Sequence, residues 1–312
     1  MIAYGPVPSR RLGYSLGINT IPAKYCSYSC IYCQVGRTNH LQINRREFYA
    51  VDQILSDVEI KVTDCIKLDK KIYHLTIVPD GEPTLDINLG KLIAGLKQFN
   101  IPIAVISNAS LIDRPDVQED LMGADWVSLK VDSVEEGLWK KINRPHRQLS
   151  LDKIQAGMLD FRNKFYGELA TETMLVGGMN DNRSATNLLI DFLLRLQPDV
   201  SYLSIPIRPP AESRVTSPGI EALKEIISVC SERVSFVDFL FETEVGDFIS
   251  TGDIEEDVLS ITAVHPLREK ALREMLEQTG NSWETVENLL DANKITSVFY
   301  RDENYYLRQF RG

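Results

Sequence analysis

The chain has 312 residues, 44% hydrophobic and 25% charged, the composition of an ordinary folded protein. With 44 acidic against 34 basic residues its formal net charge is −10, which excludes a surface built throughout to bind a polyanion. No run of about 18 apolar residues predicts a membrane span, no apolar core near the start predicts a signal peptide, and five cysteines, three of them clustered, predict a reducing cytoplasm rather than a disulfide framework.

Residues 1–46 carry Arg10, Arg11, Lys24, Arg37, Arg45 and Arg46 and no Asp or Glu. Inside this basic segment Cys26, Cys30 and Cys33 stand in a C-x3-C-x2-C spacing. Thiolates bind soft metals, chiefly zinc and iron–sulfur clusters. Three of them do not close a tetrahedral site. Cys65 and Cys230 fall in amphipathic helical runs and read as core thiols. His40 leaves a Cys3His zinc site open as one alternative. The other is a four-iron cluster with one iron lacking a protein ligand, an open position of the kind where metal sites do chemistry.

Strand-like runs follow at 14–20, 73–79, 101–107, 125–131, 167–176, 199–207 and 233–241. Amphipathic stretches lie between them at 51–66, 86–99, 150–165, 183–196 and 218–231. Strand alternating with helix implies parallel pairing, because parallel neighbours need a crossover. The expected fold is therefore α/β, a partial or full (β/α) barrel of six to seven units, with functional residues at the C-terminal strand ends. Polar residues do collect there. Asp80, Gly81, Glu82 and Pro83 follow the run at 73–79, and Ser107 and Asn108 follow the next. Ser128, Lys130 and Asp132 alternate with apolar neighbours, which assigns them to one strand face. Glu172 interrupts a later apolar run, and Arg208 and Glu212 lie beyond the run at 199–207.

Past residue 249 the pattern changes. "STGDIEED" (250–257) reads as a linker. Residues 265–280 and 282–294 have helical periodicity, the second with Ser282 as a candidate cap, and 295–310 reads as two strands around the turn "RDEN". Helix, turn, helix and hairpin over 258–312 predict a small winged-helix-like α+β domain. Its seven basic and eight acidic residues nearly cancel, which favours docking or substrate presentation over DNA reading.

The cysteine spacing, with Tyr32 before the last cysteine, resembles the signature of the radical S-adenosylmethionine (SAM) enzymes, and the later motifs fall in the order that family shows. The resemblance covers roughly residues 3–245, which places the barrel domain at 1–249. It implies that Cys26, Cys30 and Cys33 ligate a [4Fe–4S] cluster whose fourth iron takes SAM. It further implies that Gly81, Glu82 and Pro83 match the motif receiving the methionyl amino group, with Asp80 where the family often has a further glycine. Tyr32, Asn108, Ser128, Lys130 and Asp132 become cofactor contacts, with Lys130 suited to the SAM carboxylate and Ser128 or Asp132 to its ribose. Glu172, Arg208 and Glu212 become substrate contacts. A flavodoxin- or ferredoxin-like electron donor is implied as a partner, and RNA, a nucleotide or a protein as substrate classes. "GPVPSRRLGYSLGIN" resembles the subgroup of wyosine-base-forming tRNA enzymes, but this chain has no cysteine before Cys26 for a second cluster. The competing class is a zinc-binding winged-helix regulator without radical chemistry.

Overall fold

The computed structural model describes residues 2–241, 248 and 253–309. It opens with an antiparallel hairpin of β1 (Ala3–Ser9) and β2 (Gly13–Ile18). Periodicity does not reveal β1, because Gly5, Pro6 and Pro8 interrupt it. Prolines are tolerated there because β1 is an edge strand. The cysteine loop follows, pinned by a short parallel pair of β3 (Tyr25–Cys26) and β4 (His40–Leu41).

The chain then alternates as its pattern predicts. Helix α1 (Val51–Lys67) leads to β5 (His74–Ile77), α2 (Leu89–Leu96) to β6 (Ile103–Ser107) and α3 (Pro115–Leu121) to β7 (Trp126–Lys130). Helices α4 (Glu136–Asn143) and α5 (Leu151–Lys164) precede β8 (Glu168–Met174). Helix α6 (Arg183–Leu196) precedes β9 (Val200–Ser204), and α7 (Ile220–Arg233) precedes β10 (Val237–Leu240). Strand β2 pairs in parallel with β5, and each later strand with the one before it, giving the sheet order β1-β2-β5-β6-β7-β8-β9-β10. This curled, partial barrel has β1 and β10 as its two ends, and the Arg10 guanidinium reaches across to the Leu240 carbonyl at 2.7 Å. Helices α3 and α4, of 7 and 8 residues, have no counterpart among the stretches read from periodicity.

Local chemistry sets the helix ends. Asn182 caps α6 by accepting from the Ala185 N–H, and Pro115 opens α3, where its missing N–H is not needed. Buried faces of the helices, among them Ile54, Leu92, Phe161 and Phe192, pack on the outer side chains of the strands and form one core. No helix among the described residues is long and apolar enough to cross a membrane.

The C-terminal module contains α8 (Ile254–Val264), β11 (Leu267–Arg268), α9 (Glu269–Thr279), α10 (Glu284–Asp291), β12 (Ile295–Tyr300) and β13 (Glu303–Arg308). Its three strands form an antiparallel sheet in the order β11-β13-β12. Of the stretch read as a linker, 250–252 lies outside the described residues, and Asp253 caps α8, whose first turns take up 254–257. Ser282 makes no side-chain cap; α10 starts two residues later, at Glu284. The β12–β13 turn places Arg301 and Asp302 at positive φ, the geometry of a tight hairpin.

Tyr4 of β1 belongs to the core of this module, with Val258, Ile261, Leu272 and Met275. A buried ion pair of Lys61 and Asp257, 2.8 Å apart, ties α1 to α8. Tyr300 and Tyr305 donate to the carbonyls of Pro206 and Ile207 at 3.1 and 3.0 Å. The module is thus fastened beside the C-terminal ends of the barrel strands.

Candidate active site

The three clustered cysteines lie on one loop over the ends of β5 to β7. Within it the Cys33 N–H donates to the Cys30 carbonyl at 3.2 Å and the Gly36 N–H to the Cys33 carbonyl at 3.1 Å. The loop rests on the end of α4, where Ser29 and Ile31 donate to the carbonyls of Asn143 and Ile142. Two side-chain amides point at sulfur. Asn108 Nδ2 lies 3.4 Å from Cys26 Sγ, and Asn143 Nδ2 lies 3.4 Å from Cys30 Sγ. Burial pushes the Cys26 thiol up to about 12 and Cys30 and Cys33 above their ordinary value, and Cys33 adds to the rise at both Cys26 and Cys30. His40 does not join them, since its ring stacks on Tyr25 at 4.1 Å. Among the described residues no three His, Cys, Asp or Glu side chains come together as a site for a single metal ion.

The turn after β5 passes directly beneath this loop. Lys24 N–H donates to the Asp80 carbonyl at 3.0 Å, and Glu82 N–H donates to the Tyr25 carbonyl at 3.2 Å. A Cβ on Gly81 would fall 1.8 Å from the Tyr25 carbonyl oxygen, so only glycine permits the approach. Glu82 is buried, and its carboxylate is held by neutral donors. Oε1 accepts from the Thr84 N–H (3.0 Å), the Thr84 hydroxyl (2.7 Å) and the Ser107 hydroxyl (2.7 Å), while Oε2 accepts from the Asn108 N–H at 2.7 Å. Three of the four donors crowd onto Oε1 and one reaches Oε2, so among the described residues Oε2 keeps a lone pair open. Burial nevertheless raises its pKa, against the pull of those donors. Pro83 opens the short 3-10 turn that carries Thr84. The motif after β5 and the pair Ser107–Asn108 are therefore one assembly, and Asn108 carries it on to Cys26.

Asp132 plays a similar part under Cys30. It lies past the end of β7, where Oδ2 accepts from the Tyr32 hydroxyl and from Asn143 Nδ2 and Oδ1 accepts from the Met174 N–H at 2.8 Å. It joins the cysteine loop, α4 and β8. Lys130, expected on the same face, pairs instead with Glu172 at 3.2 Å, and its ammonium lies 5.6 Å from the centre of the Tyr32 ring. Burial lowers its pKa, against the attraction of Asp132. Ser128 is buried on the same strand.

The expected substrate residues form a charged arc. Glu172 accepts from Arg11, Lys130 and the Ser204 hydroxyl. Arg208 donates to Gln34 Oε1 and to His265 Nε2, both at 2.6 Å. That contact leaves Nδ1 of His265 as the protonated nitrogen, 3.2 Å from the Pro266 carbonyl. Gln34 also donates to the Val264 carbonyl at 2.6 Å, so the residue after Cys33 touches both the barrel mouth and the module. Glu212 pairs with Arg37 and Arg144, each at 2.8 Å, and its N–H donates to the Ile31 carbonyl. These residues sit around the cysteine loop. Asn143, Gln34 and His265 escaped the sequence reading.

The sequence profile of the radical SAM superfamily matches residues 20–190, more than half of the chain. A UPF0026 protein of Methanocaldococcus jannaschii is 45% identical over 314 residues, covering 100% of this chain and 97% of that protein. Among solved structures, a radical SAM methyltransferase from Sphaerobacter thermophilus superposes with a TM-score of 0.56 at 12% identity, over 73% of this chain and 66% of that one. TYW1 with a lysine-pyruvate adduct bound does so with a TM-score of 0.53 at 16% identity, over 71% and 74%.

Proposed function

The chain belongs to the radical SAM superfamily, whose enzymes use a [4Fe–4S] cluster and SAM, and we propose on that footing that Cys26, Cys30 and Cys33 hold the cluster. A [4Fe–4S] cluster held there and reduced by an external donor would supply the one electron that breaks a carbon–sulfur bond of SAM, the chemistry by which this superfamily starts hydrogen-atom abstraction from substrate. The observation that carries the assignment is the donor set: three half-buried thiols on one loop, two of them facing amide N–H groups. A set of three cysteines leaves one iron of four open, as SAM chelation requires. Asn143 Oδ1 and Asp80 Oδ1 are buried beside this assembly without hydrogen-bond partners.

The chain's own residues bind, orient and shield. Asn108 and Asn143 donate toward sulfur, which stabilises the charged thiolates and tunes the potential of a cluster bound there. Glu82 is a positioning residue in this reading; through Thr84, Ser107 and Asn108 it fixes the strand ends that face SAM. Gly81 brings that turn against the cysteine loop. Lys130, Tyr32 and Asp132 line the cofactor side, and Glu172, Arg11, Arg208 and Glu212 form the polar wall toward substrate. The module over 258–312 has a winged-helix-like order of elements, and its contacts through Val264, His265 and Tyr305 suit a fixed wall of the barrel mouth. A flavodoxin- or ferredoxin-like protein is the proposed donor of the electron.

The experiment is anaerobic reconstitution with iron and sulfide, reduction, and addition of SAM. The expected result is a cluster EPR signal that changes with SAM and formation of 5′-deoxyadenosine. A protein that binds zinc alone and gives no SAM-dependent signal overturns the proposal.

A further inference from the structure

A cleft of about 710 Å³ lies between the barrel and the C-terminal module. That volume is in the range of small-molecule sites. The barrel contributes Asn19, Tyr49 and Asp80 to it, and the module contributes Glu256, Lys294 and Arg308. No role assigned above uses this space.

Asp80 is the residue to explain. It is only 5% exposed. One carboxylate oxygen accepts from Asn19 Nδ2 at 2.9 Å, and the Asp80 N–H donates back to Asn19 Oδ1 at 3.2 Å. The other oxygen is buried with no hydrogen-bond partner. Leaving such an acceptor unpaired is costly. Burial pushes the Asp80 carboxyl up to about 7, against the pull of Asn19, Arg308 and Lys24. Arg308, on β13, faces it from the module. Its pKa is lowered by burial and raised in part by Asp80. Among the described residues the two form no ion pair within bonding distance. A carboxylate and a guanidinium thus face one another across a gap.

The charges of the cleft cancel, two acidic residues against two basic ones. A polyanion such as RNA needs a surplus of positive charge, which is absent here. A ligand carrying both signs satisfies both sides. We propose that the cleft binds a zwitterion of the free amino-acid class, its ammonium on Asp80 Oδ1 and its carboxylate toward Arg308 and Lys294. An ammonium supplies the donor that the buried oxygen lacks, and a carboxylate accepts from the guanidinium in charge-assisted hydrogen bonds. The cleft is lined by Pro22 and Ala23, which lead into the cysteine loop, and by Asp80, which leads into Gly81 and Glu82. A ligand there sits next to the site proposed for SAM, and its assignment as substrate rests on that reading; its binding does not.

The test is calorimetric titration of the cluster-free full chain with L-lysine, L-glutamate and L-methionine, and with 1,4-diaminobutane, succinate, AMP and SAM for comparison. At least one free amino acid is expected to saturate, and the diamine, the dicarboxylate and AMP are not. Asp80→Asn and Arg308→Gln, each checked for an unchanged melting profile, are expected to weaken that binding by about 10-fold to 100-fold, as loss of a buried charged hydrogen bond does. If either variant melts early, competition of succinate and diaminobutane with the amino acid on the wild-type chain replaces it, and each single-signed ion is expected to compete only weakly. No saturation by any of the three amino acids, saturation by SAM alone, or equal binding of the single-signed ions overturns the proposal. SAM cleavage by the reconstituted enzyme is read separately, so a failure there leaves the amino-acid result standing.

Discussion

On the β5 to β7 side of the barrel mouth the hydrogen-bond donors are neutral. Glu82 and Asp132 are held by hydroxyls, side-chain amides and backbone N–H groups. On the β8 to β9 side and along the seam with the module the partners are charged: Arg11 and Lys130 on Glu172, Arg37 and Arg144 on Glu212, Lys61 on Asp257. The contrast has an electrostatic cause. Three thiols lie beside Glu82 and Asp132, and those carboxylates already push Cys26 and Cys30 up. A cluster held there places further negative charge close by, and neutral donors hold the carboxylates without tying up cations. Lys130, at the end of β7 where it meets Glu172 of the charged side, draws Cys33 the other way.

The strongest break in the neutral side is Cys30→Ala. It removes one of only three thiols, so bound iron and SAM-dependent 5′-deoxyadenosine are expected to be abolished, read by iron analysis and chromatography. A variant that keeps SAM cleavage breaks the ligand assignment.

On the charged side the largest effect is expected at the seam. Lys61 and Asp257 are buried, with 5% and 1% of their side chains exposed. Lys61→Met takes the ammonium away from the buried Asp257 carboxylate and is expected to cost about 3–5 kcal/mol in urea unfolding. The double variant Lys61→Met with Asp257→Leu is expected to recover most of that loss, because it removes both charges. If the double variant is as unstable as the single, desolvation is not the cause.

A smaller effect sharpens the neutral side. Asn143→Ala removes the N–H facing Cys30 and one of the donors to Asp132. Partners of metal ligands typically matter by about 10-fold to 100-fold in affinity or activity. That loss in SAM cleavage is expected together with a lowered cluster potential, while iron still binds. An unchanged potential would make Asn143 a packing residue only.

The two sides also differ in what the sequence discloses. The thiols, Gly81, Glu82 and Asn108 are legible because each sits in a short local motif beside its neighbours in chain order. The strands are legible because period-two alternation and β-branched residues need no knowledge of the fold. Strand β1 is hidden by its prolines, and α3 and α4 have no counterpart among the stretches that periodicity marks. The charged arc is illegible for another reason. Arg11 and Glu172 are 161 residues apart in sequence, and Arg208 and Gln34 are 174 apart, so nothing local pairs them. Alternation assigns Lys130 and Asp132 to one strand face, but β7 ends at Lys130, and Asp132 lies past it and bonds to α4, which alternation alone does not disclose.

The weakest expected effect tests whether the charged arc contributes stability at all. Arg144 in the first place, with Arg37, holds the Glu212 carboxyl below its ordinary range. A carboxyl whose pKa is lower folded than unfolded binds fewer protons when folded, so its contribution is present above the unfolded value and is lost as pH falls through the folded one. Glu212→Gln deletes that contribution. The wild type is therefore expected to exceed the variant in stability at pH 7, by less than any buried substitution above. The gap should narrow below about pH 4.3, the ordinary value for glutamate, and close in stronger acid. Raised salt should shrink it as well, because these side chains are partly exposed. A gap that persists unchanged in acid would mean that Glu212 acts through its shape and its loop, and the arc would then be a set of tethers on the cysteine loop rather than a balance of charge.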